Sequence, residues 1–421
     1  MIQRFLFRFS FLFFLLFIFL MANEVLPLSN PVYDTYMEPF HVVIPWIGRH
    51  ILHLPYEIKD FPLGSFDTTY DYVMLLCVTV ISLVGAIAWM VIQKDDEKEP
   101  VLNYWLTAFI RYYCAYSMFS YGLAKVYKLQ FGFPSPGSLS QPLGSYSPMH
   151  LAWAFFGYSR GYNYLMGMAE IVSGLLLLYR RTTRLGAILL LVVMVNVMAV
   201  NYGYDVCLKL MSTALVLMAL FLLGQDRRRL IQFFILNRVT MPASEWTPKF
   251  RRKWMERGRV FLKYGFTLFI LYSINRAAFT FMDGYSDHRK VSAFHGIFNV
   301  EKFIKNGDTL APLLTDTTRW RRLIVNEQGG VTYASVRMMN DTATSWQIRP
   351  DTSTHRLVIS KRTDTAVRYH FNYTFLGTDS LRLQGQWKGD SVTVVLRKYD
   401  LKKFTLVNRG FHWINEVPFQ R

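Results

Sequence analysis

Three ionisable side chains lie within two apolar stretches of the sequence. Arg111 and Lys125 belong to a stretch from about residue 102 to 127, and Glu170 belongs to one from 162 to 179. A charged side chain at the centre of a bilayer costs ~3 kcal/mol or more, so such residues pair with one another or serve a function. We therefore expect Glu170 to pair with Lys125 or with Arg111.

The spacing of these residues fits a contact between two helices. Lys125 follows Arg111 by almost four helical turns, so both side chains point in nearly the same direction. Glu170 is flanked at helical spacing by Gly167 and Gly174, and glycines let a neighbouring helix approach closely. Two interpretations are open: these residues bond the helices together, or they line a site that handles protons, a quinone headgroup or a small ligand.

A second polar group lies further along the chain, at the junction of two apolar stretches. Asn201, Asp205 and Lys209 recur at every fourth position, and Asn196 lies deeper in the first of the two stretches. We expect Asp205 to lie at the positive N-terminal end of the following helix. The same two interpretations apply to this group.

Metal binding has weak support in the sequence. His50 and His53, with Glu57 downstream, are residue types that bind metals, but Pro55 interrupts their helix and His-x-x-His arises often by chance. We expect no metal here and interpret the segment as an amphipathic helix at the membrane interface. No catalytic triad, Walker loop, dinucleotide fingerprint or zinc-protease motif is present, and the three cysteines form no Cys-x-x-Cys pair.

The C-terminal segment is dense in aromatic and charged residues. Its candidate binding residues are Arg409, His412, Trp413 and Glu416. We expect this segment to pack on the preceding domain or on the membrane domain, with ligand binding as the alternative.

The candidate residues are positioned by apolar stretches that are near or above the roughly 17 residues needed to cross a bilayer. These predicted spans, about seven, cover residues 5–21, 70–92, 102–127, 162–179, 185–201, 205–224 and 261–281. The first also fits a signal peptide, and six spans remain if it is cleaved.

The net charge of +18 is concentrated in short loops beside these stretches. Arginines at 180–184 and 227–229 fall on the cytoplasmic side when crossings are counted from a cytoplasmic N-terminus, as the positive-inside rule requires. Everything after the seventh span then lies outside. We predict a protein of the bacterial inner (cytoplasmic) membrane with an extracytoplasmic C-terminal domain. Its expected partners are the lipid bilayer and membrane or periplasmic proteins, and not nucleic acid.

The last part of the sequence predicts an all-β domain. Short alternating runs are separated by turn residues such as Gly329-Gly330 and Lys388-Gly389-Asp390, which favours an antiparallel sandwich or a lipocalin-like barrel. The predicted organisation is an N-terminal anchor or signal peptide at 1–21, an outer loop with an interfacial amphipathic segment at 22–69, an α-helical membrane bundle at 70–282, a basic cytoplasmic loop at 225–260, a connector at 283–315 and the β-rich extracytoplasmic domain at 316–421.

The stretch from about Arg111 to Leu223 resembles the DoxX-like family of bacterial membrane proteins. The resemblance rests on Gly122-Leu123-Ala124-Lys125, Glu170, Gly174-Leu175-Leu176 and the run from Arg180 to Arg184. It implies a four-helix core at 102–224. It also implies a link to membrane redox chemistry, because the family is named after a subunit of a thiosulfate:quinone oxidoreductase.

Three functional hypotheses follow. The first is an accessory or anchoring component of an envelope or respiratory complex, which presents its β domain for partner or ligand binding and is not itself an enzyme. The second is a subunit of a quinone-linked membrane oxidoreductase, with Arg111, Lys125 and Glu170 around the headgroup. The third is a small-molecule transporter. We expect no bound cofactor under the first hypothesis and a quinone under the second.

Overall fold

A computed structural model of the chain describes residues 1–21, 30–58, 66–93, 98–241, 252–361 and 367–419. Outside the described residues lie 22–24, where a signal peptide would be cleaved, the charged run at 94–97 after the second predicted span, and the basic positions 249 and 251. The chain divides into two compact units. The first comprises Met1–Gln130, Pro148–Ala152 and Ser159–Thr280, and the second comprises Phe131–Ser147, Trp153–Tyr158 and Phe281–Arg421.

The first unit is helical, and each predicted span overlaps one of its helices. The described helices of the whole chain are α1 (Ile2–Met21), α2 (Asn30–His50), α3 (Thr69–Ile92), α4 (Glu99–Val126), α5 (Pro136–Ser140), α6 (Pro148–Tyr158), α7 (Arg160–Leu178), α8 (Thr183–Gly203), α9 (Lys209–Gly224), α10 (Arg227–Phe234), α11 (Lys253–Tyr285) and α12 (Thr405–Asn408). The predicted interfacial amphipathic segment thus overlaps α2, which contains His50 and ends before His53.

Several helices of the first unit are long and apolar enough to cross a membrane. Among the described residues, four meet this criterion: α1, α3, α7 and the stretch Arg180–Gly203 that contains α8. The pair α9–α10, bent by 81°, adds a fifth if it counts as one span. The chain therefore has a membrane region. Seven spans stay a prediction, because α4 and α11 do not meet the same criterion.

α4 is less apolar than the helices that meet the criterion, and it lies at the centre of the helical core. Its buried side chains include Leu106, Ile110, Cys114 and Met118, and they pack against apolar residues of α1, α7, α8 and α9. A helix surrounded by protein and not by lipid has room for polar groups, since each one faces the interior of the bundle.

Arg8 joins the start of α1 to the end of α3 and the start of α4. Its guanidinium donates to the carbonyl oxygens of Trp89 at 2.8 Å and Gln93 at 2.9 Å, and it pairs with Glu99 at 3.1 Å. The last carbonyls of a helix have no partner within the helix and carry partial negative charge, so a buried cation stabilises them.

The second unit contains a closed antiparallel β-barrel. Its strands are β1 (Gly296–Lys305), β2 (Asp308–Thr309), β3 (Trp320–Gln328), β4 (Val331–Met338), β5 (Ala343–Asp351), β6 (Arg356–Lys361), β7 (Arg368–Leu376), β8 (Ser380–Trp387) and β9 (Asp390–Lys398). Consecutive strands from β3 to β9 pair, β1 pairs with both β3 and β9, and the short β2 pairs with β1. The sheet therefore closes with eight strands, which leaves the predicted likeness to lipocalins as a prediction.

Two strands, β1 and β2, fall outside the predicted β-rich domain at 316–421. β1 lies in the segment 283–315 that was predicted to be a connector, so the barrel begins at Gly296 and not at residue 316. A bulge between Val300 and Lys302 shifts the register of β1 against β9 and breaks its alternation of buried and exposed residues. β5 contains Pro350, which argues against a strand when the sequence is considered alone.

Aromatic side chains fill the barrel interior. Trp320, Trp346 and Trp387 are buried, and the ring of Trp387 lies 4.9 Å from each of the other two rings, measured between centroids. Phe303 and Phe371 are buried beside them. An eight-stranded barrel has an interior just wide enough for side chains to fill or to hold one small ligand. Side chains occupy it here.

The loop between α4 and α6 belongs to the same compact unit as the barrel. The Phe133 N–H donates to Asp287 Oδ1 at 2.8 Å, and the Gly137 N–H donates to Asn326 Oδ1 at 3.2 Å. The loop at 131–147 is therefore attached to β3 and to the segment that precedes the barrel.

Candidate functional site

The closest approach between α4 and α7 lies at two glycines. A Cβ added to Gly122 would lie 2.7 Å from the Gly167 carbonyl oxygen, and a Cβ added to Gly167 would lie 2.6 Å from the Gly122 carbonyl oxygen. One contact further along, a Cβ on Gly174 would lie 3.0 Å from the Ala115 carbonyl oxygen. The two helices run antiparallel, with backbone against backbone at these positions.

This contact brings Lys125 and Glu170 together. Each follows its glycine by one helical turn, and side chains in a helix lean toward the helix N-terminus. Because α4 and α7 are antiparallel, the two side chains lean toward each other. Lys125 Nζ lies 2.9 Å from Glu170 Oε1 and 2.9 Å from Oε2, and both residues are buried, at 5% and 2% exposed.

The surroundings of this pair are protein on all described sides. Lys125 Nζ lies 5.8 Å above the centre of the Tyr121 ring, and the Ser173 hydroxyl donates to the Glu170 carbonyl oxygen at 2.7 Å. A buried ion pair is strongly destabilised when one partner is removed, because the other charge is then left without compensation. The pair therefore links α4 to α7, and a ligand that uses either charge must first open it.

Arg111 lies at the other end of the same interface and does not join the pair. Its Nε and Nη2 atoms donate to the Leu177 carbonyl oxygen at 3.0 and 2.8 Å. Leu177 is in the last turn of α7, where carbonyl oxygens lack helical partners. Arg111 and Lys125 are about 21 Å apart along α4, from the helical rise per residue. The structure thus brings Glu170 to Lys125 and leaves Arg111 separate from both.

The second polar group is arranged around the start of α9. Asn201 is buried, and its Nδ2 donates to the Leu208 carbonyl oxygen at 3.0 Å and to Ser212 Oγ at 3.1 Å. Lys209 Nζ lies 2.8 Å from Asp205 Oδ1, and the Asp205 side chain is largely exposed. These contacts connect α8 to α9 across the turn.

The carboxylate that caps α9 is Asp67 and not Asp205. Asp67 accepts hydrogen bonds from the backbone N–H groups of Lys209 at 2.7 Å and Leu210 at 2.9 Å. Asp205 has a positive φ of 51° and lies before the helix begins. Sequence reasoning missed Asp67, because a contact between residues so far apart along the chain leaves no periodic signal.

Asn196 lies apart from both polar groups. It is on an exposed face of α8 beside Val192 and Val195. Within the described part of the chain, its amide makes no hydrogen bond. It therefore belongs to neither group.

His50 and His53 do not converge on a common centre. His50 is exposed, and its Nδ1 lies 3.1 Å from the Trp46 carbonyl oxygen. His53 follows the end of α2 with a positive φ of 49°. Among the described residues there is no group of three or more His, Cys, Asp or Glu side chains suited to hold a metal ion.

The C-terminal segment folds on itself around Arg409. One guanidinium nitrogen lies 3.0 Å from His412 Nε2, another donates to Asn415 Oδ1 at 2.7 Å, and the guanidinium lies over the Phe419 ring at 4.7 Å. Trp413 is 91% exposed. The aromatic side chains of this segment therefore do not pack on the barrel, and Glu416 is exposed as well. Packing on the membrane domain stays a prediction.

Comparison with known proteins gives a family match in the helical part of the chain. The sequence profile of the DoxX family matches residues 106–203, which include Lys125 and Glu170. The chain is 39% identical over 129 residues to the uncharacterized protein YwoB of Bacillus subtilis (strain 168), an alignment that covers 31% of this chain and 82% of that protein. No solved structure matches the chain significantly.

The glycine contact gives a direct test of how the ion pair is positioned. Gly122→Ala places a methyl group against the backbone of α7, and we expect a loss of about 1–3 kcal/mol of stability from overpacking. The midpoint of thermal unfolding of the purified protein in detergent measures this loss.

Gly161→Ala is the matched control, because a Cβ at Gly161, on α7 itself, meets nothing within 4 Å. We expect this variant to unfold at the wild-type temperature or slightly above it, since alanine favours a helix more than glycine does. Equal midpoints for Gly122→Ala and Gly161→Ala would contradict the close contact between α4 and α7.

Proposed function

The chain belongs to the DoxX family of membrane proteins, and from this premise we propose that it is an accessory component of the bacterial inner membrane. In this proposal the helical unit is an anchor. The barrel unit is held on the extracytoplasmic side, where it binds a protein partner of an envelope or respiratory complex.

An anchoring role is supported by how the buried charges of the helical unit are compensated. Lys125 is paired with Glu170, Arg111 is bound to the end of α7, and Arg8 is bound to the end of α3. Each of these cations thus stabilises a contact between helices. This is the arrangement expected of residues whose task is to hold a membrane bundle together.

The proposed orientation is supported by contacts between residues that the positive-inside rule assigns to the same side of the membrane. Asp67, in the predicted outer loop, contacts Lys209, which lies near the outer end of its predicted span. Arg184 pairs with Asp226, and both are predicted to be inside. The loop at 131–147 belongs to the same compact unit as the barrel, so both must lie on the same side of the membrane. The predicted spans between the loop and the barrel are α7, α8, α9 and α11. Four crossings return the chain to the side on which it started.

The observation that carries the proposed partner binding is the exposed C-terminal segment. Phe411, Trp413, Ile414 and Val417 are all exposed, and Arg409 contacts other residues of the same segment. Aromatic side chains contribute strongly to protein–protein binding when a partner buries them, and contacts within the segment reduce the entropy lost on binding. The barrel interior is filled by aromatic side chains, which favours a partner at the surface over an apolar ligand inside.

A subunit of a quinone-linked oxidoreductase is the second candidate. Its specific support is the buried Lys125–Glu170 pair within the part of the chain that matches the family profile. A quinone headgroup would have to open this pair to reach either charge. Stoichiometric quinone in the purified protein would favour this candidate over the first.

Site-specific photo-crosslinking tests the proposed binding surface. A photoreactive residue in place of Trp413 is expected to form a discrete adduct with another protein in cells. The same residue in place of Gln384, which is exposed on β8, is the control and is expected to form none. Arg409→Ala should weaken the adduct at 413, because it removes the contacts that order the segment. Equal adducts at both positions would contradict the proposal.

Cysteine labelling tests the proposed orientation. A membrane-impermeant maleimide is expected to label Gln384→Cys in right-side-out vesicles and Arg228→Cys only in inside-out vesicles, with the unsubstituted chain as the blank. The reverse pattern, or labelling of both positions from one side, would refute the extracytoplasmic barrel.

A further inference from the structure

The short helix α10 turns sharply away from α9. The two helix axes differ by 81°, so α10 lies near the plane of a membrane that α9 crosses. Three arginines, Arg227–Arg229, form its first turn, and exposed aromatic residues, Phe233 and Phe234, form its last. A basic and apolar helix in this orientation is typical of an element at the membrane interface.

A cavity of about 820 Å³ lies between the start of α10 and the starts of α1 and α4. One part of its wall is apolar and includes Leu6, Phe7 and Phe221. The other part is polar and includes Asn103, Gln225 and the three arginines. Its size lies within the range of roughly 300–1,000 Å³ that small-molecule sites occupy.

The acidic residues of this cavity are already neutralised. Glu99 pairs with Arg8, and Asp226 pairs with Arg184 and with Arg229. The other two arginines of α10, Arg227 and Arg228, are exposed, and neither has a hydrogen-bond or ion-pair partner among the described residues. The cavity therefore carries positive charge that the described chain does not compensate.

We propose that this cavity binds the headgroup of an anionic phospholipid of the bilayer, of the phosphatidylglycerol type. Guanidinium groups match the geometry of phosphate oxygens, and the exposed Arg227 and Arg228 supply the donors. The acyl chains lie along the apolar wall, which free phosphate would leave uncovered.

The test uses the full-length protein in nanodiscs of phosphatidylcholine with and without phosphatidylglycerol, and it measures retained lipid by native mass spectrometry. We expect the wild type to retain phosphatidylglycerol selectively. Arg227→Gln with Arg228→Gln should weaken this retention about tenfold or more, since charge-assisted hydrogen bonds are lost. Arg252→Gln with Arg257→Gln, two exposed arginines at the start of α11, removes the same charge away from the cavity and should leave retention unchanged.

Three outcomes overturn the proposal: retention without preference for phosphatidylglycerol, equal weakening by the two arginine pairs, or competition by inorganic phosphate alone. Wild-type protein in nanodiscs with equal amounts of phosphatidylglycerol and phosphatidylethanolamine provides a second arm if the α10 variant does not fold. It should retain the anionic lipid in preference to the zwitterionic one. Equal retention of the two lipids would refute the proposal.

Discussion

The packing of the helical unit depends on one buried ion pair. A positive or a negative charge inside a membrane bundle is costly unless the other charge lies beside it. Lys125 and Glu170 are compensated only if α4 and α7 come close enough for the two side chains to meet. Gly122 and Gly167 permit that approach, because neither has a side chain to separate the backbones. The ion pair and the glycine contact therefore support each other. The glycines allow the short distance between α4 and α7, and a larger distance between the helices would separate the two charges.

This constraint explains the composition of the helices around it. α4 carries two buried cations, Arg111 and Lys125, and lies in the core, whereas α1, α3, α7 and the stretch with α8 meet the length and hydropathy criterion for a span. Two buried cations stabilise helix ends, Arg8 that of α3 and Arg111 that of α7. The barrel unit has a different core, the aromatic cluster of Trp320, Trp346 and Trp387, whose side chains fill the barrel interior.

The sequence predicted the helices, the antiparallel β domain and the family, because these depend on local patterns of apolar residues and short motifs. It left open whether Glu170 meets Lys125 or Arg111, since both cations share one face of α4. It missed Asp67 as the cap of α9, because that contact joins distant parts of the chain. It missed β1 because a bulge interrupts the alternation of its side chains. Local periodicity thus predicted the elements, and tertiary contacts decided the partners.

The most direct test of the central claim is a double-mutant cycle on Lys125→Met and Glu170→Gln, measured as thermal stability in detergent and as complementation of a deletion strain. Each single variant leaves one buried charge without a partner and should lose about 3–5 kcal/mol of stability. The double variant should regain much of this loss, and complementation should follow the amount of folded protein. A double variant that is as stable as the wild type yet fails to complement would contradict a structural role and indicate chemistry at this pair.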